Sequence, residues 1–489
     1  MKGLLLSALL LACAATQLSA QDTKKCRFRV NFVGDSGRQV PTIKGSNYFA
    51  GGGVLIVCEN TSISMRSDSV AAYGGATVVQ FIGNVHYKDS TVTMDADNGT
   101  YYKAGERWEA RGNVHTVNLA TGSTMDGPSL DYLRAVKGVR DTVETYSIGR
   151  PTIKYIPKDS AGGKAEPYVI VGDRIRQKGE NQVWAGGKVT IDRSDLAARG
   201  DSLWLRTGND GKGSMIGSQP TLRGFGKDTF DLTGKRIDFT LDEKDLTGIV
   251  ALDSAHAVTG EVDLIGDTVS IALKDKKAEA TRAWGKKQRP VGVAGDYELR
   301  GDSLAIDTPK GELREVRAYY GAWAGTKPDS GTGERDWVAG DTVIIRFVEA
   351  DSAGKKTTKV RQLEAVDSAR SFYRAVSKGT TDSAKAKPAS LNYARADRIV
   401  ISMLTTGDGG MDRVDMYGKV DGIQLEPEKP KARGAVPAAP KDTTAAAPAI
   451  PKDTTSAVPA APKDTTTAAS AIPKDTTAAA PKDSTRATP

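Results

Sequence analysis

A short phrase with a two-residue apolar period returns along this chain, as VVQFIGNVHY from Val78 to Tyr87, RWEARGNVHTV from Arg107 to Val117 and QVWAGGKVTI from Gln182 to Ile191. Alternation of this kind is that of a strand with one buried face. The first two copies superpose at an offset of 29 residues, placing Val79 on Trp108, Phe81 on Ala110, Gly83 on Gly112 and Val85 on Val114. Looser copies follow at Ile249 to Ala257, Val316 to Ala324, Leu363 to Ala369 and Val414 to Gly422. Strand units this small cannot each bury their own face, so they must stack. The expected fold is all-β, an elongated stack of antiparallel strand rungs.

Between the phrases stand short tokens containing Asp, among them SDSVAA at Ser67, ADNGTYY at Ala96, GDRIRQ at Gly172, GDSLWL at Gly200 and ADRIVI at Ala396. Gly reaches positive φ and Asp bonds its own backbone, so each token reads as a turn that launches a strand. The polar stretches Pro157 to Pro167, Thr207 to Gln219, Thr326 to Arg335, Ala350 to Thr358 and Lys378 to Pro388 read as surface loops. Leu130 to Val139 has some helical period, but Gly138 and the strand-like DTVETYSIG after it reduce it to a connection.

Met1, Lys2, an apolar run from Leu4 to Ala15 and the small residues Ser19 and Ala20 form a secretory leader, with residues 1–20 removed on export. A second reading of the same leader is a lipoprotein signal with Cys13 lipidated. An exported location permits Cys26 and Cys58 to pair, although spacing alone does not prove the bond. From Pro427 the composition changes to Ala, Thr and Pro, with PKDTT units at Pro440, Pro451, Pro462 and Pro473 and a shortened copy at Pro481. That tail, residues 426–489, has too little apolar area to offset chain ordering and is expected to be disordered.

Composition narrows the function. The net charge of +8 arises from 68 basic and 60 acidic residues spread along the chain, without the concentrated basic patch and stacking aromatics of a nucleic-acid binder. The three histidines are His86, His115 and His256; the first two hold equivalent positions opposite the apolar set and read as solvent-side residues, while His256 looks isolated. No third ligand accompanies them at metal-site spacing, so no metal, and no cofactor, is expected. The Asp residues recur interchangeably, which favours structure over the paired carboxylates of a glycosidase, and no nucleophile elbow or phosphate loop is present. No catalytic residue is assigned. The remaining chemistry is the apolar face of Val79, Phe81, Val85, Trp108, Ala110, Val114, Val183 and Val189, which either forms a groove for acyl chains or packs a closed core. Both produce the same alternation.

The stretch Phe81 to Asn118, FIGNVHYKDSTVTMDADNGTYYKAGERWEARGNVHTVN, resembles the OstA-like family, which includes the periplasmic lipopolysaccharide-transport protein A and the N-terminal domain of the outer-membrane transport protein D. It has the family's order of a G-N-V strand, a strand with Ala-Asp before the pair Tyr101 and Tyr102, and a second G-N-V strand; a looser likeness reaches about Leu425. The resemblance implies a twisted, V-shaped β-jellyroll whose interior shields lipid acyl chains, with the eight apolar residues above facing the lipid. It also implies as partners lipopolysaccharide or a related acylated glycolipid, and end-to-end jellyroll neighbours in a periplasmic bridge or at the outer-membrane translocon. Without amphipathic membrane strands before the tail, the chain is expected to be a bridge, not a pore. The domains then read as a lead segment at 21–44, a jellyroll at 45–225 and a second block at 226–425 that continues or duplicates it. A closed-core envelope scaffold and a carbohydrate-active β-stack enzyme are the alternatives.

Overall fold

A computed structural model describes residues 25–426, apart from 157–165, 208–209, 226–228, 243–244, 261, 329–332, 353–354, 376–389 and 406–409. The leader, Cys13 and the PKDTT tail lie outside the described residues. The chain divides into two units, Met1–Glu428 and Lys429–Pro489, and all that follows concerns the first.

The described residues are almost entirely β-strand, each strand antiparallel to its neighbours. Every rung crosses from one leaf of sheet to a second leaf through a corner near its middle. Strand Val78–Lys88 shows how: its first half pairs with Ser69–Tyr73 and its second half with Ser64–Ser67, so those two short strands are one rung bent at Asp68. The first rung is already made by Phe28–Val33 and Gly37–Val40, inside the segment read as a lead-in. The ladder also crosses residue 225 without a break, because Thr221–Gly224 pairs with Phe230–Thr233 and Gly211–Ile216 with Arg236–Asp242.

The corner explains the recurrent sequence tokens. Gly83 and Asn84 have φ of 77° and 44°, and Gly112 and Asn113 have 78° and 43°. These residue pairs form β-bulges, as the register slips between Ile82 and Val85 on one ladder and between Asp95 and Asn98 on another. A single Asp of the neighbouring rung faces each bulge. A Cβ on Gly83 would sit 2.4 Å from Oδ2 of Asp68, and one on Gly112 would sit 2.3 Å from Oδ2 of Asp97, so glycine is required by both φ and space. The side-chain amides of Asn84 and Asn113 donate to those same carboxylates at 2.8 and 2.9 Å.

Several expectations are corrected by this arrangement. Asp97, Asp201 and Asp397 do not launch strands: they lie inside Val92–Tyr102, Leu196–Arg206 and Ser390–Met403. Turn and bulge demand the same residue types, so composition alone could not separate them. Gly211–Ile216 is a strand within what read as a loop, and the stretch Ala350 to Thr358 carries the ends of two paired strands. Leu130, in a stretch read as a connection, is buried in strand Thr124–Leu133.

The inner faces of the two leaves meet in one apolar core that runs from Cys26 to Ile401. Alternation holds along each rung, as in Val78–Lys88, where Val79, Phe81, Val85 and Tyr87 are buried and Gln80, Ile82, His86 and Lys88 are exposed.

Candidate functional site

All eight residues assigned to the lipid face point inward. Val79, Phe81, Trp108, Ala110 and Val183 come from one leaf, and Val85, Val114 and Val189 from the other, each at most 3% exposed. Trp108 joins the leaves: its ring centroid lies 5.1 Å from Phe81 on its own leaf and 5.1 Å from Tyr87 on the opposite one. Tyr101 and Tyr132 complete the cluster, and Phe28 of the first rung packs edge-on against Tyr101 at 5.2 Å. Val183 and Val189 sit four rungs farther on, about 19 Å at the usual strand spacing. The interior around Trp108 is therefore filled by side chains. Its indole N–H has no hydrogen-bond partner.

The interior opens at the first rungs. There a cavity of about 530 Å³ is walled by Phe28, Val33, Phe49, Val54, Ile56 and Val79, with Arg27, Arg38 and Lys103 at its border and no carboxylate among its lining residues. Val79 belongs to both this mouth and the interior, since it pairs with Tyr101 and Tyr101 pairs with Trp108. An apolar wall bordered by cations, of which Arg27 also faces Glu59 at 4.0 Å, suits an amphiphile with a negative head.

Opposite the corners, the hairpin turns of the two leaves approach each other, and polar groups close the gap. Asp89, in the turn after Lys88, accepts hydrogen bonds from Tyr87 at 2.9 Å and from Tyr132 of the other leaf at 2.8 Å. The backbone N–H groups of Thr91 and Val92 also donate to it, at 2.7 and 2.8 Å, so the buried carboxylate is fully engaged. Next to it, Glu106 pairs with Arg134 at 2.7 Å, both nearly inaccessible, and accepts from the Tyr101 hydroxyl. Burial raises the Tyr87 and Tyr132 phenols well above their ordinary pKa, and Asp89 adds to the effect. Burial alone would lower the pKa of Arg134, but Tyr87, Tyr101 and Glu106 outweigh it and hold the guanidinium charged.

The N-terminal segment ties into this edge. Cys26 is disulfide-bonded to Cys58 on one leaf, with Cα atoms 5.0 Å apart, while its backbone N–H donates to Glu106 on the other at 3.0 Å. Sequence reading named the two cysteines but missed Asp89, Glu106, Arg134 and Tyr132. A charged residue beside a strand end normally signals solvent, and no local pattern marks these four as buried. A polar clasp closes the same edge farther along, where Tyr155 meets Thr207 at 2.6 Å and Lys276 meets Asp195 at 2.8 Å.

The histidines lie on the outer surface. His86 pairs with Asp95 at 2.5 Å and His115 with Asp126 at 2.6 Å. His256 is not isolated: it makes the same cross-rung pair with Asp263 at 2.7 Å. Among the described residues, no group of three or more His, Cys, Asp or Glu is placed to hold a metal ion, and no helix is long and apolar enough to cross a membrane.

No family model matches the chain, and no curated protein matches it. Among solved structures it is similar to LptH of Pseudomonas aeruginosa, described as the LptA homologous periplasmic component of the conserved lipopolysaccharide transport device. The identity is 14%, the match covers 22% of this chain and 73% of that one, and the TM-score is 0.19. An overlap of that extent assigns no family. The fold is read from this chain's own pairing, as a stacked antiparallel β-jellyroll.

Proposed function

We propose that the chain is a non-enzymatic periplasmic carrier that shelters the acyl chains of lipopolysaccharide or a related acylated glycolipid between its leaves. The observation that carries this reading is the apolar mouth bordered by Arg27, Arg38 and Lys103, which leads by way of Val79 to the cluster at Phe81 and Trp108. Sheltering roughly ten methylenes from water is worth about 8 kcal/mol, enough to hold an acyl chain without a catalytic residue. The blocks before and after residue 225 then act as one conduit. End-to-end partners fit the two terminal rungs, which pair on one side only among the described residues and expose Val30 and Phe32 at one end and Ile423 and Leu425 at the other.

A photo-crosslinking residue at Val79, Phe81 or Trp108 in living cells tests the proposal, with His86 on the outer surface as control. Lipid adducts at the inward positions and none at His86 are expected. An absence of inward adducts in folded, exported protein would favour the second reading, a closed-core envelope scaffold, which the filled interior around Trp108 supports.

A further inference from the structure

We propose that the edge formed by the turns at Asp89, Glu106 and Arg134 is a lateral gate, locked by the Cys26–Cys58 strap, through which an acyl chain reaches Trp108. The inference rests on the carrier reading and specifies its entry route. Around Trp108 the interior has no room for a chain while the leaves stay together, since Phe81, Tyr87 and Tyr101 all pack against Trp108 and all four are fully buried. The corners cannot hinge freely, because Asp97 is packed against Gly112 and held by Asn113. Separation must therefore occur at the opposite edge, where the leaves are joined by side chains and not by a backbone ladder.

Among the described residues, side-chain bonds join the leaves at this edge. The Tyr132 hydroxyl reaches Asp89 and lies 3.1 Å from the Thr91 hydroxyl, and the strap runs from Cys58 through Cys26 to Glu106. Glu106 and Asp89 each keep other partners when these bonds part: Arg134 and Tyr101 for Glu106, and Tyr87, Thr91 and Val92 for Asp89. Opening thus leaves neither buried carboxylate bare, which lowers its cost. Behind the gate, the Trp108 N–H is a buried donor without an acceptor. Buried donors without partners are uncommon, and this one offers a hydrogen bond to the ester or amide carbonyl of an incoming acyl group.

The test uses the mature chain and the fluorescent amphiphile 11-(dansylamino)undecanoic acid. Tyr132→Phe removes the hydroxyl that bonds Asp89 and contacts Thr91, and the double variant Cys26→Ser, Cys58→Ser unlocks the strap. A gate predicts uptake faster by about two- to tenfold in Tyr132→Phe, the kinetic equivalent of one net hydrogen bond, and at least as much in the double variant. Unchanged rates in both variants, with wild-type uptake intact, would overturn the gate and leave the carrier reading standing. Hydrogen exchange supplies a readout that needs no cargo: loss of the disulfide should raise exchange in residues 88–92, 103–107 and 132–134 while residues 82–85 and 111–114 stay protected. Equal protection at both edges sinks the gate on its own, whereas increased edge exchange with no probe uptake by any form shows that the edge opens but overturns its role as an acyl-chain entry together with the carrier reading.

Discussion

At the corner, each residue type answers one physical demand. Gly112 combines a φ of 78° with a missing Cβ that Asp97 Oδ2 would otherwise meet at 2.3 Å, so Gly112→Ala adds a clash to backbone strain. A loss of about 2–3 kcal/mol is expected in urea unfolding. Gly75 has a similar φ of 64° but no neighbour within 4 Å of its Cβ position, so Gly75→Ala should cost only about 1 kcal/mol. Equal losses would mean that the Asp97 approach is irrelevant. The same corner shows what a sequence can and cannot disclose at this scale. Gly83–Asn84 and Gly112–Asn113 are visible as a repeat, yet the role of the Asp facing each pair was hidden, since a bulge partner and a turn residue look alike before the register is known.

Among the elements, the alternation in strands such as Val78–Lys88 and Arg107–Asn118 was legible because burial on one face enforces a period of two. The edge clasp was not, because its partners are far apart in the chain: Cys26 and Glu106 are separated by 80 residues, and Asp89 and Tyr132 by 43. Removing one member should expose the cost of the buried pair. Arg134→Ala leaves Glu106 charged and enclosed, with an expected loss of about 3–5 kcal/mol, measured by thermal or urea unfolding. On an outer face, Glu364 is gripped by Arg346 and Arg398, each at 2.6 Å. Burial would raise its pKa, but the two guanidiniums outweigh burial and hold the carboxyl below its usual range. With the folded pKa below the unfolded one, the stabilisation is full above the unfolded value, near 4.3, and is lost as pH falls through the folded value. The stability gap between wild type and Glu364→Gln should accordingly shrink below about pH 4. A gap that stayed constant down to pH 2.5 would contradict this.

For the folded unit as a whole, each rung rests mainly on its two neighbours, so stability accumulates along the stack. Ending the chain at residue 225 would strip Gly211–Ile216 and Thr221–Gly224 of their partners Arg236–Asp242 and Phe230–Thr233. Such a fragment should keep its β-rich circular dichroism but self-associate through the bared edge, as read by sedimentation velocity. A monodisperse monomer would show instead that the exposed rung protects itself.

The placement of the tryptophans has an optical consequence. Trp108 is wholly enclosed, whereas Trp184, Trp204, Trp284, Trp323 and Trp337 all retain solvent access. The chain thus carries a single tryptophan in its interior, distinguishable from five at its surface. Acrylamide should quench most of the emission and leave a blue-shifted residue that Trp108→Phe abolishes. Any event that parts the leaves should make that residual light quenchable, so the protein can report its own opening without an attached label.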